Sequence, residues 1–362
     1  MHLDASSGQP LHPAAREALL AAYDEGWADP SRLYASGRRA RQLLDGAREV
    51  LATGVGARPD ELMLLPHHVA ALYAGIRGVA RARARTGRHV VHSAIEHSAV
   101  LHACAELDAA GVPVDALGRV SVDTFVDSVQ PGTILGCLAA ASHEVGTLQP
   151  VTSVAAGLGA VPLLVDAGPV VGRAAVPGGW SLLAASAPNW GGPTLGVLAV
   201  RTGVRWVSPW PEEERLPVDL PSVLAAAVAL QATLSSRAAE SARQAALVDQ
   251  IRAAVAMIPD TEVVGDPVSR LPHLVTFSFL YLDGEALVRA LDALGFAVSS
   301  GSSCTSSSLE PSHVLVAMGA LTHGNVRVSL SPSVSAQDVA RFLAVLPAVV
   351  ASLRDAAGVS GL

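Results

Sequence analysis

Four stretches of the sequence place reactive side chains where an α/β fold could use them. Ser93-Ala94-Ile95-Glu96-His97-Ser98-Ala99 reads as a strand end turning into a helix. Ligands in open α/β sheets lie beyond the carboxyl ends of the strands. His97 would therefore face a ligand site, or else cap and pack the helix that follows it. Ser142-His143-Glu144-Val145-Gly146 comes shortly after another apolar run, and Leu164-Val165-Asp166-Ala167-Gly168 ends a third. A carboxylate such as Asp166 is costly to bury alone, so it must meet a cation or be satisfied by backbone N–H groups. The fourth stretch, from Ser299 to Leu315, is rich in serine and carries Cys304. A thiol in such polar surroundings is either reactive or a leftover in a loop kept by descent. Arg327 lies in the apolar run Val326-Arg327-Val328. Its guanidinium could take a carboxylate bidentately or serve a structural ion pair.

The histidines invite a metal reading, because His67, His68, His92, His97 and His143 recur along the first half. No His-x-x-x-His spacing or clustered carboxylate supports it, so no metal site is expected. His68, near an expected helix N-terminus, could instead hold a phosphate or sulfate on free N–H groups. Cys104 and Cys137 lie in apolar segments and read as core residues. The run Glu212-Glu213-Glu214-Arg215 reads as a solvated loop.

Apolar runs of strand length alternate with segments of helical period. Strands are expected at 62–65, 89–92, 112–117, 133–139, 162–165, 182–185 and 196–200, with helices at 70–84, 99–110 and 151–158. Continuous Val, Leu and Ala runs between helices predict a mostly parallel sheet covered on both faces. Residues 221–258 carry almost no Gly or Pro and read as long helices. Beyond them come strands at 262–264, 274–279 and 326–330, and helices at 284–294 and 336–355. The chain therefore divides into a large α/β domain over 13–239 and a smaller α+β domain from 1–12 and 240–362.

Composition removes several function classes. Half of the 362 residues are hydrophobic and 16% are charged, against a usual ~25% charged, so disorder is excluded. The net charge of −7 argues against a partner held through phosphate contacts, so no nucleic-acid partner is expected. The most apolar stretch, 151–165, is broken by Gly157, Gly159 and Pro162. It is also shorter than the ~20 residues of a membrane span. With no secretion signal and three scattered cysteines, a cytoplasmic location is expected. All 25 basic side chains are arginine; the chain has no lysine.

In this order, the four stretches resemble the cysteine desulfurases of the class V aminotransferase group. The resemblance runs from Leu3-Asp4-Ala5 to Arg327-Val328-Ser329-Leu330, and the Cys304 loop is its most specific part. It implies the fold-type-I architecture, pyridoxal phosphate as the family cofactor, and a homodimer with sites at the subunit interface. In that family a lysine forms a Schiff base with the cofactor and a histidine stacks on its ring. An aspartate pairs with the ring nitrogen, an arginine takes the substrate carboxylate, and a loop cysteine becomes a persulfide. By position these roles fall on His97, Asp166, Arg327 and Cys304, with Ser186 and His143 at further cofactor positions.

The lysine does not carry over. Its motif corresponds to Ser186-Ala187-Pro188-Asn189-Trp190, with Asn189 at the lysine position and Pro188 where a phosphate-binding histidine is expected. An amide nitrogen cannot form a Schiff base. Val69 stands where the phosphate turn has a hydroxyl, His143 where an asparagine contacts the ring oxygen, and Pro169 where a glutamine follows the aspartate. No covalent cofactor is expected. Two functions fit: a sulfur-handling protein that accepts and relays sulfane sulfur on Cys304, or a catalytically inactive partner of an active desulfurase. Ordinary pyridoxal-phosphate desulfuration, releasing alanine, is a third and is opposed by Asn189.

Overall fold

The computed structural model of the chain describes residues 1–25, 28–210, 219–300 and 311–359. Seven strands form one sheet: β1 (Leu62–Leu65), β2 (His89–Ser93), β3 (Asp108–Val112), β4 (Thr133–Ala139), β5 (Leu163–Asp166), β6 (Leu182–Ser186) and β7 (Gly196–Val200). Their order is β1-β7-β6-β5-β4-β2-β3. Every pairing from β6 through to β3 is parallel, while β7 runs antiparallel to both of its neighbours.

The two-residue period of a strand explains the continuous apolar runs. Val165, Leu183, Ala185 and Val197 face one core, which also holds Leu51 of α2 (Ala35–Val55) and Leu230 of α7 (Leu220–Val255). Leu164, Leu182, Ala184 and Leu198 face the other, with Leu72 of α3 (His68–Ala82) and Val100 of α4 (Ser98–Ala105). Neither face meets water, so neither alternates with polar residues.

One expected pair of elements differs. The helix expected over 99–110 stops at Ala105, and the strand expected at 112–117 lies instead at Asp108–Val112. Ala109 and Ala110 favour a helix by themselves. Parallel pairing of β3 with β2 from His89 to Ser93 overrides that preference. Helices α1 (Pro13–Glu25) and α2 precede β1, a region where the sequence reading places no element.

A second sheet, β10-β9-β8, is antiparallel throughout and built from β8 (Thr261–Val264), β9 (Leu274–Phe279) and β10 (Asn325–Ser329). The N-terminal segment joins it through a bridge between Asp4 and Ser329. Its core holds Leu3, Phe277, Phe279 and Phe342, the last from α10 (Ala336–Ala356). The helix α10 is long and apolar enough to cross a membrane by length and composition. Here Val339, Phe342, Leu346 and Val350 bury one face of it in that core. Helix α7 is continuous across the expected boundary at 239/240, with Val223 and Leu230 in the first core and Leu247 and Ile251 in the second.

The antiparallel edge is fastened by Glu61, immediately before β1. Its buried carboxylate accepts hydrogen bonds from Arg58 N, Thr202 N and Arg201 Nη1, each at 3.0 Å. Burial works against the charge, but these three donors outweigh it and hold the carboxyl at about 2. A carboxylate with a lowered folded pKa stabilises above its unfolded value and loses that contribution as pH falls through the folded one. Glu61→Gln should lower the unfolding free energy at pH 7 by about 2 kcal/mol, measured by urea denaturation. The difference should shrink as pH falls from about 4.3 towards 2. A gap independent of pH would mean that the charge is not what fastens the edge.

Candidate functional site

Parallel strands β2, β4, β5 and β6 end on the same side of the sheet, and the candidate residues collect there. Asp166 is the last residue of β5 and is buried. Its Oδ1 accepts the Gly168 backbone N–H at 2.9 Å and lies 3.0 Å from His68 Nε2. Both sequence alternatives for Asp166, a cation and local N–H groups, are therefore present together. Burial raises the Asp166 carboxyl, yet His68 overcomes it and holds the group at about 2. In turn Asp166 raises His68 above its ordinary value despite burial. The pair is an imidazolium against a carboxylate.

Local geometry aims His68 at Asp166. His67 caps α3, its Nδ1 accepting Ala70 N–H at 3.1 Å. That leaves His68 as the first helical residue, over the start of β7. Gly196 permits this approach, because a Cβ there would sit 2.3 Å from the His67 carbonyl oxygen. Gly168 is equally constrained, since a Cβ would lie 3.0 Å from both Asp166 Oδ1 and His68 Nε2. The phosphate or sulfate role considered for His68 is not the one its side chain takes: it turns to the aspartate.

His97 follows β2 and caps α4, its Nδ1 accepting Ala99 N–H at 3.0 Å. The capping alternative is thus what its Nδ1 does. Its ring meets His68 edge-on at 6.0 Å and tilts against His143 at 5.3 Å. Burial lowers His97, opposed by Asp166 and reinforced by His68. Burial, with His97 and Arg327 nearby, pushes His143 down to about 3. Of the three rings, His68 alone carries a proton held by a carboxylate.

Arg327 reaches the same space from β10. Its Nη2 lies 3.2 Å from Asp4 Oδ1 and donates to Ser7 Oγ at 2.8 Å, while its buried Nε has no partner. The ion-pair alternative holds for this side chain. Asn189 sits in a short turn after β6, and its Nδ2 donates to the Gly168 carbonyl oxygen at 2.7 Å. Together with Ser186, these residues line a cavity of about 560 Å³. Three further wall residues, Asp4, His273 and Arg173, carry no sequence signal for the role. His273 follows an ordinary Leu-Pro pair, and Asp4 lies 323 residues from Arg327.

Two buried carboxyls flank the cleft. Glu96 is pushed upward by burial and accepts Ala139 N–H at 2.8 Å. Burial raises Glu144 to about 7, opposed by the Ser312 hydroxyl. His313, first residue of α9 (His313–Met318), lies with Nε2 2.9 Å from the Glu96 carbonyl oxygen. Cys304 and the run Glu212 to Arg215 lie outside the described residues. Cys104 and Cys137 are fully buried, in keeping with core roles. Among the described residues, no three His, Cys, Asp or Glu side chains are grouped to hold a metal ion.

The family described as Aminotransferase class-V matches residues 1–201 and 220–342. The cysteine desulfurase IscS of Methanosarcina thermophila is 31% identical, over 98% of this chain and 93% of its own. That of Dictyoglomus turgidum is also 31% identical, over 98% and 95%. A solved structure titled NifS-like protein superposes with a TM-score of 0.90 at 23% identity, over 98% of this chain and all of that one. That likeness carries the fold, and pyridoxal phosphate is the family's cofactor. From sheet order, cleft position and full-length similarity together, the chain belongs to the aminotransferase class-V family and is cysteine desulfurase-like.

Proposed function

We propose that this chain handles sulfur through Cys304 without a covalent pyridoxal-phosphate Schiff base. The observation that carries the proposal is the 3.0 Å contact between His68 and Asp166 in a chain with no lysine. The aspartate expected to face the cofactor's ring nitrogen already has a cation. The residue at the lysine position, Asn189, spends its amide on the Gly168 carbonyl oxygen. Val69 and Pro188 offer the phosphate no side-chain donor. The cleft does not fit a cofactor held as a Schiff base, and no step is routed through one.

Sulfur then comes from a separate donor that carries a persulfide. The Cys304 thiolate attacks the outer sulfur of that persulfide. The donor's S–S bond breaks, a new S–S bond forms on Cys304, and the donor cysteine leaves as a thiolate, with no net oxidation or reduction. The same exchange in reverse delivers the sulfur to an acceptor thiol. The acting unit is a homodimer in the cytoplasm, and the partners are sulfur donor and acceptor proteins. A second reading, a catalytically silent partner of an active desulfurase, is favoured by Arg327. Its pairing with Asp4 and Ser7 leaves it poorly placed to take a substrate carboxylate.

Incubation with a persulfide-bearing desulfurase should add one sulfur atom to Cys304, read by mass spectrometry. Cys104 and Cys137, both fully buried, should stay unmodified, and Cys304→Ser should abolish the addition. No addition to Cys304 would leave the silent-partner reading standing and overturn the relay.

Asn189→Lys alone should not create an active desulfurase. A new amine could condense with pyridoxal phosphate, yet two or three phosphate contacts would still be missing. Each charge-assisted hydrogen bond is worth roughly 1.5–3 kcal/mol, so binding falls by several powers of ten at about 1.4 kcal/mol per decade. The measurement is alanine and sulfide formation from cysteine with excess pyridoxal phosphate. Robust turnover would show that the lysine was the only missing part.

A further inference from the structure

A second cavity, of about 450 Å³, opens behind the cleft between the N-terminal segment at Gln9–Pro13 and α7. One face of α7 lines it, with Thr233, Ser236, Arg237, Glu240 and Gln244 at helical spacing. Much of the remaining wall is apolar: Pro10, Leu11, Pro13, Trp190 and Pro332. Arg173 lines both this cavity and the cleft.

Arg173 is a buried cation, only 6% exposed, whose hydrogen bonds go to neutral groups. Its Nη2 donates to Gln9 Oε1 at 3.0 Å and its Nη1 to Gln244 Oε1 at 3.4 Å. The two amides are turned that way by their own donors, Gln9 Nε2 to the Pro188 carbonyl oxygen and Gln244 Nε2 to that of Leu330. The acidic side chain that acts on Arg173 is Glu240, and it is already bound by Arg243 at 2.7 Å. Burial lowers the guanidinium to about 10, with Glu240 opposing the shift. Arg173, Arg237 and Arg243 thus face one carboxylate among the described lining residues, which leaves the cavity short of negative charge. A buried charge without a counter-ion is a site that an anion stabilises.

We propose that this cavity binds a small organic carboxylate on a compact apolar body, with the carboxylate on Arg173. A planar guanidinium matches a carboxylate in fork geometry. The apolar wall at Leu11, Trp190 and Pro332 suits an aromatic or branched aliphatic body, and the volume lies within the range of small-molecule sites. A phosphate dianion would seek more donors than one guanidinium whose flanking amides are already committed. The site is separate from Cys304, and its occupancy does not depend on sulfur transfer.

The full-length protein is titrated calorimetrically with benzoate, with neutral benzamide and with inorganic phosphate, all at fixed ionic strength. Benzoate should bind saturably, and benzamide and phosphate at least tenfold more weakly. Arg173→Met should weaken benzoate at least tenfold while leaving the far-UV spectrum unchanged. Ser236→Phe, which fills the cavity from α7 and leaves Arg173 untouched, should do the same. Equal binding of benzoate and benzamide, or preference for phosphate, would overturn the assignment of the ligand. Undiminished benzoate binding in Ser236→Phe would place the anion in the cleft and overturn the site. Should Arg173→Met fail to fold, the Ser236→Phe titration decides.

Discussion

A buried carboxylate needs a cation, and the cleft is organised around that need at Asp166. Breaking a buried ion pair by removing one partner costs about 3–5 kcal/mol, far more than a surface contact. Asp166, held at about 2, contributes above its ordinary ~3.9 and loses that contribution as pH falls towards 2. His68, held above its ordinary value, contributes below ~6.5 and loses its share as pH rises through the raised pKa. The pair is therefore complete across the range between. Gly168 and Gly196 are small so that the two residues can approach, and His67 caps α3 so that His68 is its first residue. His97 and His143 are pushed down by the same burial, so the cluster keeps one proton on the one ring that a carboxylate can hold.

The fold does not depend on this arrangement. The large sheet is held by apolar side chains on both faces and the small one by Leu3, Phe277, Phe279 and Phe342. The positions that a cofactor would use sit at strand ends and turns, where Asn189, Pro188, Val69 and Pro169 change the chemistry without entering either core. A family architecture and a family reaction can part company in this way, because function lies in sites placed on a fold.

Much of the architecture was legible in the sequence because strands buried on both faces leave unbroken apolar runs. The strands at 133–139, 196–200 and 274–279 lie where the pattern puts them. Strand β3 was not legible, since Asp-Ala-Ala-Gly-Val carries a helical preference that only pairing with β2 overrules. Asp166, His97, His143, Asn189, Ser186 and Arg327 could be picked out one by one, and they share one cavity. Their partners could not. His68 meets Asp166 across 98 residues of chain, and Asp4 meets Arg327 across 323. Such choices are made by the packing of α3 on β7 and of the N-terminal segment on β10, and no local spacing records them.

The central claim is that His68 supplies the charge which Asp166 requires. The direct measurement is the NMR titration of the His68 ring in the intact protein, in Asp166→Asn, and with pyridoxal phosphate added. The account predicts that His68 titrates above ~6.5, that Asp166→Asn returns it to that value or below, and that added pyridoxal phosphate leaves its resonance in place. A His68 ring that is neutral at pH 7, or that pyridoxal phosphate releases from Asp166, would contradict the account.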